Sequence, residues 1–118
     1  MAYIENMMAR MGERHQTHIK LYGDDNNKRL TGIHETSSMN QFSWGVGNRA
    51  ASFRIPTSTA HAQGKGYIED RRPASNIDPY LVCGMLVDTG ILEESLSADL
   101  VASYEAFQAW KKAEGVNI

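Results

Sequence analysis

The sequence runs to 118 residues, enough for one modest core, since a chain of this size removes only about two-thirds of its unfolded surface from water on folding. Hydrophobic residues make up 42% and charged residues 22%, no apolar run nears membrane-spanning length, and the N-terminus lacks the basic, apolar and small-residue regions of a secretory leader, so neither a membrane protein nor an exported one is expected. A formal net charge of -2 excludes a nucleic-acid binder held by a broad basic surface, and the single cysteine, Cys83, cannot form an internal disulfide and suits a reducing, cytoplasmic compartment.

Ile4, Met8, Met11, His15, His18 and Tyr22 recur at spacings of four and three, with Met7 and Ile19 widening the stripe, which predicts an amphipathic helix over residues 2–21. Gly23 can take the left-handed turn after it, and Asp24, Asp25, Asn26 and Asn27 are turn formers. The helix has no N-cap ahead of it, so the chain is expected to begin inside a larger domain. From Lys28 to Arg72 the helical period gives way to short extended pieces between Gly, Ser and Asn clusters. Strands are predicted over Ser52–Pro56 and Gly66–Arg72. In the second, Tyr67, Glu69 and Arg71 share one face, and Ile68 and Asp70 point the other way. Residues 57–65 and 35–47, small and polar, read as mobile loops. Asp78 as N-cap and Pro79 at the first helical position open a helix to about Gly90, in which Cys83 reads as a small core residue. A last helix begins near Ser97, with Leu100, Tyr104, Phe107 and Trp110 on one face and Gly115 at its end. Trp44 and the methionine stripe read as packing surfaces.

Charge is uneven along the chain. Residues 1–47 balance at five basic and five acidic, 48–72 hold five basic against two acidic, and 73–118 hold two basic against seven acidic. A locally positive middle beside an acidic tail suits a compact anion better than a long polyanion. Within it, Glu69 and Arg71 project from the same strand face two residues apart. That pairing reads either as a cross-strand salt bridge or as a site for a phosphorylated ligand with its metal, because carboxylate oxygens suit hard divalent cations and a guanidinium bonds carboxylate or phosphoryl oxygens in pairs. Arg49 and Arg54 lie in a short, otherwise apolar segment, where half-buried arginines need anionic partners that two local acids do not fully supply, which points to a bound anion. A phosphate-binding loop of the G-x-x-x-x-G-K-[ST] type is absent. His15 and His18, three apart, could pair on a metal, but their place in the apolar stripe favours a structural role.

Three ordered motifs extend this reading: Arg29-Leu30-Thr31-Gly32-Ile33-His34-Glu35-Thr36-Ser37; Gly45-Val46-Gly47-Asn48-Arg49 with Ser52-Phe53-Arg54-Ile55-Pro56; and Gly66-Tyr67-Ile68-Glu69-Asp70-Arg71-Arg72-Pro73-Ala74-Ser75-Asn76-Ile77-Asp78-Pro79-Tyr80. Over residues 14–92 they resemble glutamine synthetase of the eukaryotic type. The resemblance implies an α+β fold, part of that family's catalytic domain, with antiparallel strands packed against helices over residues 1–94 and a divergent C-terminal helix over 95–118. It implies ligation of ammonia to the side-chain carboxylate of glutamate through an acyl phosphate made from ATP, in an oligomer of stacked rings that binds Mg2+ or Mn2+. It assigns Arg29 and Arg71 to glutamate and the transferring phosphoryl group, Arg49 to ATP phosphate and substrate, and Arg54 to ATP. Glu69 becomes a metal ligand that lines the nucleotide site with Tyr67 and Ile68, and Glu35 sits on a flap that closes over glutamate and takes a proton from ammonium. The upstream glutamates and histidine of the family's metal site are not in this sequence, and Thr57 stands where relatives usually have an arginine. The isolated chain is therefore expected to be inactive, and a non-catalytic assembly or anion-binding module is the alternative.

Overall fold

The computed structural model describes residues 1–33, 37–92 and 96–115, without the side chains of 96–98. The predicted first helix forms as two pieces, α1 (Ala2–Glu13) and α2 (His15–Ile19), divided at Arg14, whose φ of -101 and ψ of 11 leave the helical region while its N–H still reaches the Arg10 carbonyl at 3.1 Å. The predicted stripe is buried at Ile4, Met8, Met11, His15, His18, Ile19 and Tyr22, and Leu21 is buried beside it. The chain turns at Gly23, where φ is 108 and a Cβ would lie 2.4 Å from Asn76 Oδ1, so both the backbone conformation and the close approach of residues 74–76 require glycine.

Three short strands form one sheet in the order β1 (Trp44–Val46), β2 (Phe53–Ile55), β3 (Glu69–Asp70). The β2–β3 pair is antiparallel, with Phe53 opposite Asp70 and Arg54 opposite Glu69. The β1–β2 pair is parallel, Trp44 opposite Phe53, which corrects the expectation of antiparallel strands alone and of a loop throughout residues 35–47. Parallel neighbours usually need a connection of a dozen residues or more. Strands of three residues span only about 10 Å, so the return path is short. Residues 47–52 make it, with Asn48 Oδ1 accepting from the Ala50 N–H at 2.9 Å.

Residues 57–65, read as a loop, contain a helical turn, α3 (Thr57–His61), after Pro56. Thr59 is its anchor: the side chain is buried and its hydroxyl donates to the Tyr67 carbonyl at 2.8 Å. Helix α4 (Pro79–Val87) starts as predicted, the Asp78 carboxylate accepting from the Tyr80 N–H at 2.9 Å. It widens into a π-turn over Asp88–Leu92. There α1 supplies the donors that the helix end lacks: Arg10 donates to the Thr89 and Gly90 carbonyls, each at 2.9 Å, and Tyr3 Oη donates to Gly90 at 2.8 Å. The last helix, α5 (Leu96–Glu114), stops at Gly115, where φ is 67.

Two apolar clusters hold these elements. Ile4, Met8 and Met11 pack with Phe53 and Ile55, joining α1 to β2; Leu21, Tyr22, Val82, Met85 and Val101 join the end of α2 to α4 and α5; Leu86 touches both clusters. Cys83 is exposed, not in the core as expected, because Val82 and Met85 already define the inward face of α4. Phe107 and Trp110 continue the α5 stripe but stand 45% and 51% exposed, stacked on one another, and Trp44 is 38% exposed on its edge strand. No helix among the described residues is long and apolar enough to cross a membrane.

Candidate functional site: an arginine-rich strand end

The β2–β3 register sets the site. Arg54 faces Glu69 across the strands, Nη1 to Oε2 at 3.3 Å, so the cross-strand salt bridge considered from sequence is present. Pairing continues past Asp70, since the Arg71 N–H donates to the Ser52 carbonyl at 2.9 Å. Strand alternation turns Glu69 and Arg71 to one side and Asp70 and Arg72 to the other. Arg71 borders a cavity of about 10 Å³ with Ser37, Ser38 and Ser52, close to the least space that holds one water. Arg71 Nη1 and Arg54 Nε are buried donors with no hydrogen-bond partner among the described residues. Buried donors left so are costly, and a ligand oxygen is one way to satisfy them.

Arg29 follows a single 3-10 turn, Asn26–Lys28. Its guanidinium donates to the carbonyls of Arg71 at 3.2 Å, Arg72 at 2.6 Å and Pro73 at 3.2 Å, while Asn26 Oδ1 receives its Nε. Burial first, and then the neighbouring charge of Arg71, lower its pKa. Arg29 and Arg71 therefore meet at one end of β3, and Arg54 with Glu69 stands just before them. Of the four predicted arginines, Arg54 is paired with the carboxylate of Glu69. Arg49 is exposed in the 47–52 connection. Tyr67 is 62% exposed, whereas the Ile68 side chain packs against the first apolar cluster, so any ligand contact of Ile68 would fall to its backbone. Glu35 lies outside the described residues.

Sequence reasoning missed what stands behind this end. Arg72 is 1% exposed and forms a paired ion bond with Asp70, Nε to Oδ1 and Nη2 to Oδ2, both at 2.9 Å. Tyr22, Phe42 and Phe53 surround its guanidinium at 5.0, 5.6 and 4.7 Å from the ring centroids. Arg72 Nη1 donates to His15 Nδ1 at 3.0 Å, which makes that nitrogen the acceptor and leaves Nε2–H to donate to the Met39 carbonyl at 2.9 Å. Tyr22 Oη donates to Asp70 Oδ2 at 2.9 Å, so it accepts from His18 Nδ1 at 2.7 Å; His18 Nε2 then accepts from the Thr89 hydroxyl at 2.7 Å. Burial lowers the pKa of both histidines, that of His18 to about 3, and the Arg72 charge adds to each shift. Burial followed by the Asp70 charge pushes the Tyr22 phenol up. The available signal was the strand alternation, which pairs Asp70 with the next inward residue, Arg72.

The histidine pair thus carries hydrogen bonds, as its place in the stripe suggested. No group of three or more His, Cys, Asp or Glu side chains able to hold a metal occurs among the described residues. Glu69 by itself, already paired with Arg54, does not fit a complete Mg2+ or Mn2+ site, which needs several oxygen ligands.

No protein-family model matches the chain. Glutamine synthetase of Kluyveromyces lactis is 55% identical over 107 residues and that of Saccharomyces cerevisiae 54% over 107 residues, in each case 89% of this chain and 28% of the relative. The chloroplastic glutamine synthetase of Oryza sativa is 50% identical over 101 residues, 85% of this chain and 23% of the relative. The chain thus spans little more than a quarter of the length of the yeast proteins that it matches.

Proposed function

We infer that this chain, homologous over most of its length to eukaryotic glutamine synthetases, supplies one wall of a glutamate–ammonia ligase site: the wall that holds the carboxylate and phosphoryl oxygens. The observation that carries the reading is the pair of buried arginine donors, Arg71 Nη1 and Arg54 Nε, left without partners among the described residues beside the Arg29 guanidinium. In the proposed reaction the γ-phosphoryl group of ATP passes to a side-chain oxygen of glutamate. Ammonia then forms the C–N bond as phosphate leaves. Negative charge gathers on the phosphoryl oxygens in both steps, and fixed guanidinium groups offset it without reorganising.

Arg29 and Arg71 take glutamate and the transferring group, Arg49 takes ATP phosphate and substrate, Arg54 takes ATP, and Tyr67 with the Ile68 backbone lines the nucleotide. Glu69 contributes at most one metal oxygen, so the remaining ligands come from residues outside this segment, and no step is assigned to the metal here. Glu35 closes over the site and accepts the ammonium proton. The parent protein is proposed to be a ring-stacked oligomer in the cytoplasm.

The test replaces the matched segment of the Saccharomyces cerevisiae enzyme with this chain and measures glutamine formation. Full assembly with substantial activity is expected, and Arg71→Lys should lower kcat/KM at least tenfold, because an ammonium cannot reproduce a forked contact. Equal activity of the Arg71→Lys and parent chimaeras would refute the assignment. The 118-residue chain alone should form no glutamine.

A further inference from the structure

His15 lies outside the three ordered motifs, yet it joins two parts of the site. Its Nε2–H donates to the carbonyl of Met39, and the Met39 N–H in turn donates to the Leu30 carbonyl at 2.9 Å. Thr31 and Ser38 form an isolated antiparallel bridge just beyond, so these contacts hold Leu30 and Thr31 against Ser38 and Met39. On its other side His15 Nδ1 accepts from Arg72 Nη1. The carbonyl of Arg72 receives Arg29 Nη2 and Asn26 Nδ2, each at 2.6 Å, and its peptide follows Arg71.

We propose that His15 is a positioning residue, a neutral imidazole that ties the paired Leu30 and Met39 backbones to the Arg72–Asp70 pair and so sets where Arg29 and Arg71 stand. The functional part of this rests on the ligase reading. Only one ring form serves, because a proton on Nδ1 would oppose the Arg72 N–H. The groups that face the ring are the Arg72 and Asp70 side chains, the Met39 carbonyl and the Phe42 ring at 5.6 Å. Of these, the Arg72 charge and burial favour the neutral form, and the Asp70 charge and the Met39 carbonyl oppose them.

The test uses the 118-residue chain with His15→Gln and His15→Phe. Glutamine keeps a donor and an acceptor at about the spacing of the two ring nitrogens, whereas phenylalanine fills the space and keeps neither. Hydrogen exchange is followed at Arg72 Nε–H and at the Met39 amide, and inorganic phosphate is titrated against the Arg29 and Arg71 Nε–H resonances. Exchange should quicken at least tenfold at both positions in His15→Phe and stay within threefold of the parent in His15→Gln. Phosphate affinity should follow the same order. Should His15→Phe fail to fold, the parent chain decides: Arg72 Nε–H protection must fall along the same pH curve as His15 Cε1–H titrates. Unchanged exchange in His15→Phe, equal loosening in both variants, or protection that ignores the His15 titration would each overturn the proposal. Silence of Arg71 to phosphate in the parent chain would instead sink the anion-site reading, with exchange still deciding the role of His15.

Discussion

Lowering the pH should destabilise this protein well above the range in which its carboxylates titrate, and His18 is a main cause. The ring is fully buried, donating to Tyr22 Oη and accepting from the Thr89 hydroxyl, and its pKa is depressed from 6.5 to about 3. A histidine whose folded pKa lies below its unfolded value stabilises the fold fully above the unfolded value. That contribution is lost as pH falls from 6.5 toward 3, because only the unfolded chain takes up the proton. Each unit is worth about 1.4 kcal/mol, so between pH 7.5 and 5 His18 alone removes about 2 kcal/mol. The His15 shift has the same sign and adds to it. With a urea m-value of about 1–3 kcal/mol per M, the midpoint should drop by roughly 1 M over that interval. Urea titrations at pH 7.5, 6 and 5 on the parent chain and on His18→Gln measure it, since glutamine retains a donor and an acceptor but cannot take the proton. A midpoint that is flat from pH 6.5 to 5, or an equal slope in His18→Gln, would refute the reasoning.

Other expectations follow from the same contacts. Asp70→Asn leaves the Arg72 guanidinium buried without its carboxylate and should cost about 3–5 kcal/mol in urea unfolding, whereas Asp70→Asn with Arg72→Met should recover part of that loss. Gly23→Ala places a Cβ against Asn76 Oδ1 and Ala74 Cβ at a φ of 108, and a destabilisation of about 1–3 kcal/mol should show as a lowered thermal midpoint. Asp78→Ala removes the cap from the Tyr80 N–H and should cost about 1 kcal/mol by the same measurement.

What could be read from the sequence was local. The 3.6-residue stripe from Ile4 to Tyr22 located α1 and α2, and Asp78-Pro79 fixed the start of α4, because both signals lie within one element. Helix α4 is apolar almost all round, so its period named no inward face and Cys83 was misplaced. Strand β1 eluded the reading because three residues with a glycine at the centre carry no alternation, and its parallel pairing depends on a turn that sequence does not specify. In the candidate site, strand alternation gave Glu69 and Arg71 their common side. The burial of Arg72 depends on Asp70, His15 and three aromatic rings drawn from distant segments, and a contact set of that kind appears only once the chain is folded.

The carbonyls of Thr89 and Gly90 are satisfied by Tyr3 and Arg10, side chains more than 75 positions earlier in the sequence. Neither partner can let go without exposing the other's unmet polar atoms, so the first helix and the end of α4 should open together as one cooperative unit. Trimming the first ten residues would then loosen the far side of the protein as surely as the near one.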